Sequence, residues 1–169
     1  MDYNKIIRDI PDWPKKGIVF KDLTTVWKDK TAFKQSIDEL YSRYKDKKID
    51  KVVGAESRGF IYGSVIAYLL GAGFVPVRKP GKLPWKTIEE SYELEYGTDR
   101  LVMHQDAIEK GERVLLIDDL IATGGTAEAI VKMIRKVGGE VIEAAFFMEL
   151  TFLNGKNKLD VPVFSIVKV

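Results

Sequence analysis

Residues 113–118, RVLLID, form an apolar run unbroken from Val114 until it ends on an acid. A strand with one wet face alternates apolar and polar residues. A run without alternation belongs to a strand covered on both faces, the setting of a parallel sheet between layers of helix. A parallel neighbour is reached only by a crossover, usually a helix. That helix is legible: Ala127, Ile130, Val131, Ile134 and Val137 recur at helical spacing and stop at Gly138 and Gly139, a helix-end signal. One strand thereby points the chain to an α/β architecture.

The rest of the chain keeps the same rhythm. KVVGA (51–55) and FVPVR (74–78) are short β-rich runs. Between them Phe60, Ile61, Val65, Ile66, Leu69 and Leu70 make a strongly apolar helix closed by Gly71. Phe33, Ile37, Leu40, Tyr41 and Tyr44 mark an amphipathic helix entered near Asp29 or Thr31. KPGKLPWKT (79–87) reads as a loop, and SYELEY (91–96) as an exposed hairpin strand partnered by DRLVMH (99–104). VIEAAFFM (141–148) and VPVFSIVKV (161–169) are later strands. Through about Lys28 the Pro-, Trp- and Gly-rich start predicts irregular structure around a short helix. Strands alternating with helices predict a right-handed, mostly parallel sheet flanked by helices.

Composition closes off several functions. The 169 residues suit one domain with one sizeable core. Lys+Arg number 27 against 25 Asp+Glu, a net charge of +2, so no general binder of nucleic acid or of a membrane surface is expected. With no cysteine, a disulfide scaffold, a Cys-ligated zinc and a thiol nucleophile are excluded. The N-terminus lacks the apolar core of a signal peptide, and no apolar run reaches membrane-spanning length. A cytoplasmic location is expected.

The chemistry concentrates after the buried run. Asp118 and Asp119 stand a few residues before Ala122, Thr123, Gly124, Gly125 and Thr126. A Gly/Thr turn opening a helix binds anions through backbone N–H groups and hydroxyls, whereas carboxylates repel them. A ligand with two ends satisfies both: vicinal hydroxyls donate to the acids, and a phosphate sits on the turn. Ribose 5-phosphate is such a ligand. A solvated acidic turn before a capped helix, or Mg²⁺ held by the Asp pair, are the alternatives. The turn is not a Walker loop, since no Gly-Lys-Ser/Thr follows.

VLLIDDLIATGGT (114–126) resembles the signature of the type I phosphoribosyltransferases. GIVFKD (17–22), GAESRGFIYG (54–63), RKPGKLP (78–84), SYELEYG (91–97) and MELTFLNGKNKL (148–159) are similar, in order, to the adenine phosphoribosyltransferase family. The resemblance covers nearly the full length. It implies one domain over residues 1–169, with residues 1–28 including part of a small N-terminal base-binding hood, and a flexible loop over the site.

The resemblance also implies roles. Asp118 and Asp119 would meet the ribose hydroxyls of phosphoribosyl pyrophosphate, and residues 122–126 its 5-phosphate. Ser57 and Arg58, with the basic cluster Arg78, Lys79 and Lys82, would collect the pyrophosphate; a guanidinium fork suits phosphate oxygens. Arg78 or Lys79 would reach across a homodimer interface. Val19, Phe20 and Lys21 would form the adenine pocket, Phe20 by stacking and the other two through their backbone. Glu95 would handle the purine proton, with Glu93 its competitor, and Tyr96 would pack on the closed site. His104, the only histidine, is expected to be structural or a partner of Asp106, and Trp85 carries no assignment. Mg²⁺ bound through the substrate, rather than a protein metal site, completes the set. Transfer to a 6-oxopurine or xanthine is the nearest rival, and a non-enzymatic sensor of phosphoribosyl pyrophosphate a more distant one.

Overall fold

The buried run is the central strand of a five-stranded, all-parallel sheet. A computed structural model describes residues 1–93 and 98–169, with Glu93 described by its backbone alone. In chain order the elements are β1 (Arg8–Pro11), β2 (Val19–Asp22), α1 (Thr24–Trp27), α2 (Lys30–Tyr44), β3 (Lys51–Ala55), α3 (Gly59–Leu70), β4 (Gly73–Val77), β5 (Thr87–Glu93), β6 (Thr98–His104), β7 (Arg113–Ile121), α4 (Gly125–Lys136), β8 (Glu140–Glu149) and β9 (Val163–Lys168). The sheet order is β4-β3-β7-β8-β9, and every neighbour is parallel.

The lack of alternation in RVLLID has its expected cause. Leu115 and Ile117 belong to the core on the α2 and α3 side. Val114 and Leu116 belong to the core on the α4 and β5–β6 side. In β3, Val52 and Val53 divide the same way. Each fully buried aliphatic side chain contributes about 1.5–3 kcal/mol, so one strand stitches both layers together. The Asp29 carboxylate caps α2, accepting from the Thr31 and Ala32 amides, a contribution of about 1 kcal/mol.

Three sequence expectations need correction. The N-terminal stretch holds an antiparallel ribbon, β1 on β2, where irregular structure was expected. Its four-residue strands are too short to display a period. The hairpin strand begins at Thr87 rather than Ser91, pairing with His104; Glu89 and Glu90 side by side hide its alternation. Finally, β7 does not end at the two acids. It runs on to Ile121 because β8 continues beside it, pairing Leu120 with Met148 and Ile121 with Glu149.

The ribbon is fixed to the body by its own ends. Tyr3 is buried, edge-on to Phe147 at 5.1 Å, and its hydroxyl donates to Glu39 at 2.9 Å. Arg8 clasps Asp22 across the strands, Nε at 3.0 Å and Nη2 at 2.5 Å from Oδ2. The other Asp22 oxygen accepts from the Thr24 amide and hydroxyl, opening α1. Among the described residues, no helix is long and apolar enough to cross a membrane.

Candidate active site

The carboxyl ends of β3 and β7 open onto a cleft of about 260 Å³, where ligands sit in open α/β sheets. Asp118, Asp119 and all five residues 122–126 line it, together with Glu56, Arg58, Lys79 and Tyr92. The two ends inferred from sequence therefore share one space.

The acid end is tightly built. A Cβ on Gly59 would stand 2.8 Å from Asp118 Oδ1 and 3.0 Å from the Ile117 carbonyl oxygen. Only glycine lets the start of α3 rest this closely on the end of β7. Asp118 Oδ1 accepts from the Asp119 amide at 2.8 Å. Asp119 is 2% exposed, and Arg58 Nε lies 2.9 Å from its Oδ2. That N–H is not aligned on the oxygen, which has no hydrogen-bond partner among the described residues. Burial pushes both carboxyls above the usual carboxylate range. The adjacent Asp119 charge raises Asp118 further, while Arg58 draws Asp119 part of the way back. Such a pair gains from a ligand that donates hydrogen bonds.

The anion end is the mouth of α4. Gly124 caps the helix with φ +82°, in the left-handed region that glycine enters without penalty. The first amides of a helix have no partner within it, so the N–H groups of this turn remain available to a ligand. The helix dipole adds only ~0.3–1 kcal/mol, and aimed hydrogen bonds must supply most of the hold.

The basic residues are gathered by an acid that sequence reasoning missed. Glu56 accepts from Arg78 Nε and Nη2, both at 3.3 Å, from the Lys79 amide at 3.0 Å and from Lys82 Nζ at 2.6 Å. Burial opposes the charge on Glu56, but the bonds from Lys82, Lys79 and Arg78 outweigh it and bring its pKa down to about 2. The Glu56–Ser57 peptide is cis, and Ser57 sits exposed on the turn. Lys79 Nζ is bonded to Asp99 and to the Tyr92 hydroxyl. Each of the three cations thus has an acidic partner in its own chain; Lys79 lines the cleft, and Arg78 and Lys82 are tied to its edge through Glu56. Nothing local in the sequence marks Glu56 as their hub.

Residues 19–21 do not line the cleft; they stand on β2 beyond Arg58. The Arg58 guanidinium lies 5.6 Å from the centre of the Phe20 ring, and Trp13 packs edge-on to that ring at 4.4 Å. Val19 is exposed, and the Lys21 ammonium is engaged with Asp9 at 2.8 Å. Glu95 and Tyr96 lie outside the described residues. His104 packs against Trp85 at 6.4 Å, not against Asp106, and its Nε2 is buried without a hydrogen-bond partner among the described residues. It is placed structurally, and Trp85 is its neighbour.

Residues 27–168 match the model of the phosphoribosyl transferase domain. An adenine phosphoribosyltransferase of Geotalea uraniireducens is 61% identical over 99% of this chain and 98% of its own. The chain belongs to the adenine phosphoribosyltransferase family. Solved structures agree. That of the adenine phosphoribosyltransferase of Thermoanaerobacter pseudethanolicus is 51% identical, with TM-score 0.96 over 99% of this chain and 98% of that one. The Saccharomyces cerevisiae enzyme, complexed with an iminoaltritol bisphosphate and adenine, is 40% identical with TM-score 0.92, covering 98% and 96%. The resemblance seen in VLLIDDLIATGGT is therefore a family relationship, and the fold is that of the type I phosphoribosyltransferases.

Proposed function

We infer that the chain transfers a phosphoribosyl group from phosphoribosyl pyrophosphate to adenine, giving AMP and pyrophosphate, a step of purine salvage. The observation that carries this is the shared cleft: an acid pair that wants hydroxyl donors and a helix mouth that wants an anion, side by side. The family membership and the adenine-bound yeast relative support adenine as the base.

In this proposal Asp118 and Asp119 hold the ribose hydroxyls and residues 122–126 the 5-phosphate. Ser57, Arg58, Arg78, Lys79 and Lys82 face the pyrophosphate. Phe20 stacks on the base, with the backbone of Val19 and Lys21 at its amino edge, and Tyr96 closes over it. The bond from ribose C1 to the pyrophosphate oxygen breaks as the bond to the adenine nitrogen forms, and Glu95 receives the proton that nitrogen gives up. Charge at C1 is stabilised by position and by the fixed acids rather than by covalent chemistry. Among the described residues no group of three or more His, Asp or Glu side chains is placed to hold a metal. In this proposal Mg²⁺ arrives on substrate oxygens and keeps its waters. Bound there, it would neutralise the leaving pyrophosphate. The work is assigned to the cytoplasm.

The test is pyrophosphate release with Mg²⁺ and each of adenine, hypoxanthine, guanine and xanthine. Release that depends on adenine is expected; release with a 6-oxopurine alone would replace the base assignment, and none at all would remove the activity. Glu95→Ala is expected to lower kcat by ~10²–10⁴-fold, the usual worth of a general base, with both KM values little changed. An unaltered kcat would take Glu95 out of its role.

A further inference from the structure

The anion turn is braced from outside the cleft by a segment with no assigned role. After β8 the chain makes two short 3-10 turns, Thr151–Leu153 and Gly155–Lys158. Residues 151–158 are exposed with one exception, the buried Gly155. A Cβ on Gly155 would overlap the Ala122 carbonyl oxygen and stand 2.8 Å from the Gly124 nitrogen. A Cβ on Gly124 would overlap the Gly155 carbonyl oxygen. Two backbones touch there with no side chain between them. Gly155 has no positive φ, so the contact demands the missing Cβ and not glycine's conformational range.

The brace is itself anchored. Lys156 Nζ lies 3.3 Å from Oε1 of Glu149, a buried acid at the end of β8. The Leu150 amide donates to the Ile121 carbonyl at 3.0 Å. The ends of β7 and β8 and the turn at Gly155 thereby form one support beneath the peptides of residues 122–124. The direction of those peptides decides where their N–H groups converge. A plain packing role would not require contact with these particular peptides.

We propose that Gly155 is a positioning residue for the reaction: it sets the height of residues 122–124 so that the turn's N–H groups meet the sugar phosphate. The proposal rests on assigning that turn to the 5-phosphate. An added methyl must push the turn toward the cleft or the brace away from it. Either movement misaligns several aimed hydrogen bonds, and displacements near 1 Å are felt strongly in such sites.

The experiment is calorimetric binding of ribose 5-phosphate and, separately, of pyrophosphate with Mg²⁺ to wild type and Gly155→Ala. Ribose 5-phosphate should bind the variant roughly tenfold or more weakly, about one charge-assisted hydrogen bond lost, while pyrophosphate binds as before. In kinetics, KM for phosphoribosyl pyrophosphate should rise and KM for adenine hold. A wild type that binds no ribose 5-phosphate would sink the assignment of the turn instead. Equal ribose 5-phosphate affinity in the two proteins, or parallel weakening of both ligands, would overturn the proposal. If Gly155→Ala does not fold, Lys156→Met carries the test by freeing the brace without a clash. A severalfold loss confined to ribose 5-phosphate supports the proposal, and no loss overturns it.

Discussion

Asp118 and Asp119 carry a cost that Arg58 offsets only in part. Burial raises both carboxyl pKa values above the ordinary 3.8. The folded protein therefore holds protons that the unfolded chain releases near pH 4. Stability falls as pH rises through that raised range, so deprotonation of the pair weakens the ligand-free protein. Asp118→Asn is neutral at every pH. It is expected to raise Tm at pH 7.5 by about 2–4 °C, the shift for ~1 kcal/mol in a chain of this size, with the gain vanishing at or below pH 4. No gain at pH 7.5 would contradict the account. The acids were legible in the sequence because a strand, two carboxylates and a Gly/Thr turn are contiguous. Glu56 was not: its partners Arg78, Lys79 and Lys82 come from more than twenty residues away, and no local pattern encodes a long-range hub.

At the scale of elements, α2 is fastened to the sheet by an ion pair whose carboxylate is buried. Glu143 of β8 is 4% exposed, and Arg43 grips it with Nε at 2.9 Å and Nη2 at 2.6 Å, with Lys47 at 3.2 Å. Burial works against the Glu143 charge, yet Arg43 and Lys47 bring its pKa down to about 2. Its stability contribution is therefore present above the ordinary 4.5 and lost as pH falls toward 2. Arg43→Ala strands the carboxylate and should cost about 3 kcal/mol, the low end for a broken buried pair because Lys47 remains. Urea unfolding at pH 7 checks this; a loss below ~1 kcal/mol would show that solvent already screens the pair. Of the elements with long apolar stretches, α4 and β8 could be read from the sequence almost to their ends, and β7 as far as its acids. The β1–β2 ribbon could not, because it is held by Tyr3, Arg8 and Asp22 rather than by a hydrophobic period.

The whole molecule gathers at one edge of its sheet what the sequence scatters over some seventy residues. Residues 56–58, Lys79 and residues 118–126 meet where β3 and β7 end. The β1–β2 ribbon brings Phe20 to the far side of Arg58. Tyr68 and Leu69 on α3 remain exposed, Tyr68 by 83%, and the homodimer that the family resemblance implies is here a proposal. Sedimentation is expected to give twice the monomer mass, and a monomer at micromolar concentration would remove that proposal. The central claim is that one cleft holds a sugar phosphate by two opposite chemistries. The most direct test is a double-mutant cycle between the acids and the diol, read by calorimetry. AMP and 2′,3′-dideoxy-AMP are titrated into wild type and into the Asp118→Asn, Asp119→Asn double variant. Wild type should bind the dideoxy ligand ~10–100-fold more weakly, as charge-assisted hydrogen bonds of about 1.5–3 kcal/mol are lost, and the variant should barely distinguish the two. Equal affinity of wild type for both ligands would contradict the claim.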